Sequence, residues 1–446
     1  MKNVDVLFLY ETRVRELENI CLLKYELERR GYSVAVLNTW NELDYKGKPK
    51  YDARVVVTHA MYHDGIYQFV KSLVGNAPKI VNMQCEQIGT IGDKQSKQSR
   101  YVLTGVATQS MNLCWGDETV KRLTKYSKIE PKYIRKTGNV TLDFCRPELQ
   151  GYYKSREELF ENYQVPTDKP VNLFISSFSY VNLPEEMVKQ SDVTGRDEFI
   201  RLSCESFYKV LGWFDRLLTE TEEQVIVYRP HPAEAENQDL LKMCRKFPNR
   251  FFVIRQESVK QWIAVCDKIY SWFSTSAVEA YAFGAPCGIL RPQAFPRHRE
   301  LEVYQGTEFI TEYEDFFRST QEGITNTLCK EVFDRYYSTE KRMAYERVAD
   351  AIEDVLKDDS YLVQFDDPND CKVSLKLKIK SLMHNLVSKL TVYLPNESNL
   401  LAKYRQQEKP DPYKAQLQKA NYASEEEIAQ IQTRLAQLLN TTSKTV

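Results

Sequence analysis

The sequence predicts an α/β protein, built as two tandem Rossmann-like domains with a helical C-terminal extension. Three observations carry this expectation. Short apolar segments alternate with amphipathic ones, the pattern of strands and helices in a doubly wound parallel sheet. The alternation breaks at a more polar stretch, residues 146–170, and then starts again. The chain has 446 residues, more than one core organises at roughly 100–200 residues per domain. The expected divisions are domains over 1–150 and 165–358 and an extension over 370–446.

In the first half, "VDVLFLY" is the apolar run of a strand buried on both faces. "RVRELENICLLKYELERRG" follows as a helix, with Leu17, Ile20, Cys21, Lys24 and Leu27 near one face and Gly31 at its end. "YSVAVLN" and "ARVVVTH" are the next strands, "IYQFVKSLVG" a helix and "KIVNMQCE" another strand. In the second half, "PVNLFISS", "EQVIVYRP", "FFVIRQ", "KIYSW" and "CGILR" predict strands. "DEFIRLSCESFYKVLGWFDRLL", "VKQWIAVC" and "SAVEAYAFG" predict the intervening helices, the last closing on Gly284. The helix "EKRMAYERVADAIEDVLKD" ends this half.

Composition narrows the function classes. Hydrophobic residues make up 42% and charged residues 28%, as in a globular protein, and 12% aromatic content argues against disorder. With Lys+Arg 61 against Asp+Glu 62, the formal net charge is −1, so no overall electrostatic grip on nucleic acid is expected. The ten cysteines form no metal-ligand spacing. Cys21, Cys204 and Cys266 sit in helical apolar patterns and read as small buried residues in a reducing compartment. "MKNVDVLFLYE" does not read as a signal peptide, because Asp5 interrupts a short apolar run. No stretch nears the ~18–20 apolar residues of a membrane span. A protein that is cytoplasmic, or at most peripheral on the cytoplasmic membrane face, is expected.

The extension carries two helical patterns. In "CKVSLKLKIKSLMHNLVSKLTVYL", Leu375, Ile379, Leu382, Met383, Leu386 and Leu390 share a face and five lysines add charge. Such a helix over 372–395 suits either an anionic membrane surface or the protein's own body. "SEEEIAQIQTRLAQLL" opens with the capping-box pair Ser424 and Glu427. Its heptad-like Ile428, Ile431, Leu435 and Leu438 suit docking in cis or pairing of protomers into a homo-oligomer.

Open α/β sheets bind ligands beyond the carboxyl ends of their strands, so polar residues at strand ends are the candidates. "VIVYRPHPAEAE" ends a strand in Arg229, with His231 clamped between Pro230 and Pro232. The imidazole can donate to a phosphate or base oxygen, and Arg229 can form a charge-assisted fork. In "SWFSTSAVEAYAFGAP", Ser274, Thr275 and Ser276 lie between a strand and a helix, where hydroxyls and free N–H groups favour an anion. Glu279 follows one turn later, within reach of a ribose. "NLFISSFSYVN" ends a strand in Ser176 and Ser177. In the first half, Glu11, Arg13 and Arg15 follow the first strand and offer acceptor-side chemistry. Glu86, in "NMQCEQIGTIG", is either a general base for an acceptor hydroxyl or a loop carboxylate in a salt bridge. His59 and His63 follow "VVVT" but have no third ligand, so no metal site is expected.

Together these residues resemble a glycosyltransferase of the GT-B fold, and more narrowly the bacterial surface-carbohydrate (capsule and lipopolysaccharide) biosynthesis proteins. The resemblance spans roughly residues 4–300 and is carried by "FLYETRVRELENICLLKYELERRGYSV", "CEQIG", "LCWGDETVKRL", "KTGNVTLD", "ISSFSYVN", "YRPHP" and "STSAVEAYAFGAP". It implies an acceptor-side first domain, a nucleotide-sugar-binding second domain and a cleft between them. Relatives with these motifs include Kdo transferases and bacterial sialyltransferases, which use CMP-activated acidic sugars. By this resemblance His231, Ser274, Thr275 and Ser276 contact the CMP moiety and Glu279 the ribose. Arg229 meets phosphate or sugar carboxylate on its own chemistry. Where relatives have paired acids before a glycine, this chain has only Glu86. Asp192 and Asp197, in "KQSDVTGRDEF", would match the nucleophile of retaining Kdo transferases, and inversion and retention both stay open. The resemblance implies no cofactor beyond the nucleotide-sugar co-substrate, no metal, and a glycan or lipid-linked acceptor. A CDP-glycerol-type polyol-phosphate transferase, a sugar-nucleotide 2-epimerase and a non-catalytic assembly protein share the architecture.

Overall fold

A computed structural model describes residues 2–39, 50–92, 102–181, 196–324, 328–365 and 421–442. The chain divides into two compact units, each built on one six-stranded parallel sheet.

The first unit comprises Met1–Gln87, Lys97–Val140 and Tyr337–Gln437. Its strands are β1 (Lys2–Tyr10), β2 (Val34–Asn38), β3 (Tyr51–Thr58), β4 (Ile80–Asn82), β5 (Met111–Cys114) and β6 (Ile134–Lys136), in the order β2-β1-β3-β4-β5-β6. Val6 of β1 lies between Val34 of β2 and Val55 of β3. Helices cover both faces of a parallel sheet, so a central strand has no solvent side and its sequence is apolar throughout. Accordingly Val6, Leu7 and Phe8 are fully buried.

Helix α1 (Arg13–Arg29) turns Leu17, Ile20, Cys21 and Leu27 inward, and Gly31 follows it with φ +92°. Helix α2 (Asp64–Val74) starts at His63, whose side chain accepts from Gly65 N–H. That cap explains a histidine at this position without any metal.

The second unit comprises Ile88–Ser96, Thr141–Tyr336 and Leu438–Val446. Its strands are β7 (Val171–Ile175), β8 (Val225–Arg229), β9 (Phe251–Val253), β10 (Lys268–Ser271), β11 (Cys287–Leu290) and β12 (Phe309–Ile310). Their order, β12-β11-β10-β7-β8-β9, places β7 and its successors on one side and β10 and its successors on the other. The chain therefore reverses its direction of winding between β7 and β10, and ligands of doubly wound sheets bind at such a point. Helix α3 (Arg196–Glu220) packs Phe207, Val210, Phe214 and Leu217 on this sheet. Helix α4 (Ala277–Phe283) ends at Gly284, whose φ of +67° is the left-handed cap conformation glycine adopts without strain.

Two expected boundaries differ. Helix α5 (Ala344–Lys357) belongs to the first unit, although its sequence position placed it in a second domain of 165–358, and the N-terminal part of the first unit, interrupted at Ile88–Ser96, ends at Val140 rather than 150. Periodicity shows that Val348, Ile352 and Val355 share an apolar face but not which body covers it. The covering body is identified by polar anchors: Arg30 donates to Asp350 at 2.8 Å and Glu353 at 2.9 Å, and Lys79 Nζ donates to the Val355 carbonyl at 3.0 Å. Strands β5, β6 and β12 have two to four residues, too few to show a period, and were not expected.

Helix α6 (Glu425–Thr442) confirms the capping expectation in part, with Ser424 Oγ accepting from Glu427 N–H at 3.2 Å. It docks in cis: Glu427 pairs with Arg13, and Ala423 N–H donates to Tyr10 OH at 3.1 Å. The lysine-rich segment 372–395 lies outside the described residues. Among the described residues no helix is long and apolar enough to cross a membrane.

The Arg30 anchor makes a prediction. Its guanidinium also bonds Glu26, which is 2% exposed, at 2.8 Å. Replacing Arg30 by Ala takes one of two arginines from buried Glu26 and a partner from half-buried Asp350 and Glu353, and costs about 2–3 kcal/mol in a urea-unfolding measurement. Lys357 and Arg30 beside Glu353 hold its carboxyl down at about 2. A depressed carboxylate contributes its stability fully above the unfolded carboxylate range and loses it as pH falls toward that value. The Ala variant should therefore lose less stability than wild type between pH 5 and pH 3 (roughly the range below the unfolded value). An unchanged unfolding midpoint in the variant refutes the anchor.

Candidate functional site

All six strands of the second sheet are parallel, so their carboxyl ends share one edge. Ile175 of β7 is level with Arg229 of β8 and Ser271 of β10. The turns that continue from β8 and β10 are thus two strand spacings apart, about 10 Å, with the end of β7 between them.

His231 is exposed at the end of β8. Its Nδ1 accepts from Ala233 N–H at 3.1 Å, which leaves the hydrogen of the neutral imidazole on Nε2. The two prolines cannot continue the ladder, so the turn closes on itself instead, with Glu234 N–H donating to the His231 carbonyl at 2.8 Å.

Beneath the turn lies a polar cluster that the sequence reading missed. Glu234 is 6% exposed and Ser176 2%. Glu234 Oε1 is 2.7 Å from Tyr228 OH and Oε2 is 2.6 Å from Ser176 Oγ. Ser176 Oγ and Tyr228 OH are 2.8 Å apart, and His231 N–H donates to Glu234 Oε2 at 3.2 Å. Burial raises the Glu234 carboxyl above its ordinary range, against the lowering effect of these hydrogen bonds. Burial likewise pushes the Tyr228 hydroxyl well up. The only trace in sequence was the spacing His231 to Glu234; Glu236 nearby is exposed, and no pattern tells the two glutamates apart.

Two residues expected to contact ligand, Arg229 and Ser176, make internal hydrogen bonds that hold the unit together. Arg229 is 7% exposed, and its guanidinium faces the loop after β9: it donates to the Gln256 carbonyl at 2.7 Å, the Ile254 carbonyl at 3.4 Å and the Glu257 carbonyl. Glu257 adopts φ +64°, a left-handed conformation that a non-glycine residue holds only under restraint, and Arg229 supplies part of that restraint. Ser176, expected to contact donor, spends its hydroxyl on Glu234 and Tyr228. Both residues are buried at the end of a strand covered on both faces, Arg229 as the last residue of β8 and Ser176 as the first after β7.

The β10 turn is partly closed as well. Ser274 Oγ accepts from Ser276 N–H at 3.2 Å. Tyr304 OH accepts from Ser274 N–H at 3.2 Å and donates to its carbonyl at 2.7 Å. The hydroxyl and amide of Ser274 therefore fix the turn, while Thr275 is exposed and Ser276 and Glu279 half-buried. Ser177 Oγ accepts from Phe273 N–H at 3.0 Å, which ties β7 to β10 at the reversal of winding. Tyr304 was absent from the expected set; its ring packs near Arg291, which is paired with Glu300 at 2.8 Å.

Within the first unit, Glu11, Arg15 and Glu86 share one edge. Arg15 donates to Glu86 Oε1 at 2.9 Å and to Glu16 Oε1 at 3.4 Å, and Glu11 N–H donates to Glu16 Oε2 at 2.9 Å. Glu86 thus takes the salt-bridge form, half-exposed beside an arginine. His59 Nε2 is 3.7 Å from Glu11 Oε2. Arg13 does not join them; its backbone N–H donates to Asn421 at 3.0 Å and its side chain pairs with Glu427. Asp197 is exposed in the first turn of α3, and Asp192 lies outside the described residues. Among the described residues no group of three His, Cys, Asp or Glu side chains is placed to hold a metal ion.

This architecture is that of the GT-B fold. The chain matches a variant of the wall teichoic acid polymerase TagF at 11% identity and a TM-score of 0.51, over 79% of this chain and 89% of that one. It matches a structure of the same polymerase with CDPG at 11% identity and a TM-score of 0.50, over 79% and 88%. The S. aureus MnaA–UDP structure is 16% identical over 80% of this chain and 97% of that one, with a TM-score of 0.46. No protein-family profile and no curated protein matches the chain.

The role found for Arg229 is testable. Arg229→Ala should lower stability by about 2–3 kcal/mol, because three carbonyls lose a charged donor. Urea unfolding checks this. A variant as stable as wild type that loses only ligand affinity would return Arg229 to the list of ligand contacts.

Proposed function

We propose that the chain is a GT-B transferase whose second unit binds a nucleotide-activated donor and whose leaving group is CMP. The observation that carries this reading is His231: an exposed imidazole, its Nδ1 engaged by Ala233, presents an Nε2–H donor beside the point where the sheet reverses its winding.

Two donors fit this chemistry. With a CMP-linked acidic sugar such as Kdo, the anomeric C–O bond to phosphate breaks, CMP keeps the electron pair, a C–O bond to the acceptor oxygen forms, and the acceptor proton passes to a base or to solvent. With CDP-glycerol, the acceptor oxygen bonds to the glycerol-bearing phosphorus, the bond from that phosphorus to the bridging oxygen breaks, and CMP again departs with the pair while the acceptor proton passes to a base or to solvent. In both, negative charge grows on the cytidine phosphate, and a fixed N–H donor is stronger toward that developing charge than toward the ground state. The CMP-sugar reading follows from the motif resemblance. The polyol-phosphate reading is favoured by the fold likeness to the teichoic acid polymerase. A glycan or lipid-linked surface polymer is the acceptor in either case. Thr275, Ser276 and Glu279 are the remaining donor-side groups, and Glu11, Arg15 and Glu86 the acceptor-side ones. Peripheral membrane contact through 372–395 and self-association belong to the same reading, since a lipid-linked acceptor lies at a membrane face.

Thermal melting with CMP, CDP-glycerol and UDP tests the proposal. A ligand at about 100 times its Kd stabilises the folded state by about 2.7 kcal/mol. CMP should raise the melting midpoint and UDP should not. CDP-glycerol outperforming CMP identifies the polyol donor. Removing the imidazole in His231→Ala costs about 1.5–3 kcal/mol of affinity, roughly 10- to 150-fold, in a chain that still folds. No response to any cytidine nucleotide, or undiminished affinity in that variant, refutes the assignment.

A further inference from the structure

The cluster below His231 does not balance in hydrogens if Glu234 is ionised. Three oxygen pairs are in contact: Glu234 with Tyr228 at 2.7 Å, Tyr228 with Ser176 at 2.8 Å, and Ser176 with Glu234 at 2.6 Å. Each of these distances requires a hydrogen between the oxygens. Tyr228 and Ser176 bring one hydroxyl hydrogen each. Among the described residues no other donor fills the gap: Phe178 N–H reaches Ser176 Oγ at 3.2 Å and His231 N–H reaches Glu234 Oε2 at 3.2 Å, both from outside the ring. Two hydrogens cannot serve three contacts, and the unserved pair would set two oxygen lone pairs against each other.

We propose that Glu234 is a neutral carboxylic acid and a positioning residue for His231: its own hydrogen completes a closed ring with Tyr228 and Ser176, and the ring holds the histidine turn at the mouth of β8. The carboxyl then donates to one hydroxyl and accepts from the other, while Oε2 also accepts from the His231 amide. Burial at 6% exposure favours the uncharged form, since an ionised carboxylate here would be stripped of water and, among the described residues, makes no ion pair. The groups that face it are Tyr228 from β8, Ser176 from β7, the His231 amide from its own turn, and the more distant Arg255 beyond β9. Arg255 is exposed and donates to the Ala235 carbonyl at 3.4 Å, so it does not neutralise the carboxyl directly. When rising pH removes the proton, the ring loses its third hydrogen, the turn is released, and His231 is no longer aimed. The functional part of this inference rests on the donor-binding reading above; the protonation state does not.

Difference infrared spectroscopy of the full chain at neutral pH, wild type against Glu234→Gln, tests the protonation state alone. A carbonyl band of a protonated carboxyl should be present in wild type and absent from the variant. Finding only ionised-carboxylate bands in the difference overturns the proposal, whatever the protein binds. The positioning role is read by titration with CMP. A glutamine supplies one N–H and one carbonyl to the ring, so Glu234→Gln should bind CMP within about threefold of wild type. The wild-type affinity should fall as pH rises through the Glu234 ionisation, and the glutamine variant should show no such fall. A glutamine variant that folds, shows the expected infrared difference and yet loses CMP binding tenfold sinks the positioning role. Wild type that fails to bind CMP at all, with the infrared band present, rejects the donor reading and leaves the neutral acid standing.

Discussion

A parallel sheet delivers the carboxyl end of every strand to the same edge, and the second unit depends on that constraint. β7, β8 and β10 are hydrogen-bonded neighbours in register, so Ile175, Arg229 and Ser271 finish side by side. Residues separated by nearly a hundred positions are thereby brought to the same edge. Helices cover both faces of the sheet, leaving this edge as the place where polar side chains can meet a ligand without being buried. The reversal of winding between β7 and β10 parts the flanking connections and opens the edge there.

The edge separates residues that build from residues that face outward. Arg229, Ser176, Ser274, Tyr304 and Glu234 are committed to carbonyls, amides and each other. His231 and Thr275 are exposed. Such a division suits electrostatic catalysis, in which a donor helps only if its direction is fixed before charge develops. The fixing forces are short polar contacts under a turn that two prolines keep from pairing as strand. The same principle operates in the first unit, where Glu16, 3% exposed, receives the Glu11 amide and the Arg15 side chain and so orders the end of β1.

Much of this organisation was legible in the sequence. The long apolar strands β1, β3, β7 and β8 announced themselves because burial on both faces removes the need for polar alternation. The prolines around His231 marked a strand end because proline has no N–H for the ladder. His231, Ser177 and Thr275 therefore fell where the strand ends placed them. β12, with two residues, gave no pattern, and the ownership of α5 by the first unit rested on long-range pairs such as Arg30 with Asp350.

By itself the sequence determined two doubly wound α/β units, the residues that terminate their strands, and the histidine turn. Those features are local: they follow from periodicity, from proline's missing hydrogen and from glycine's freedom at a helix end. Only the tertiary structure decided which way each terminal side chain faces. Arg229 turns to the Glu257 loop, Glu234 folds under the histidine, and Glu86 pairs with Arg15 across seventy-one positions. Such choices depend on partners that meet only when distant segments pack, and a pattern of neighbours along the chain carries no record of them.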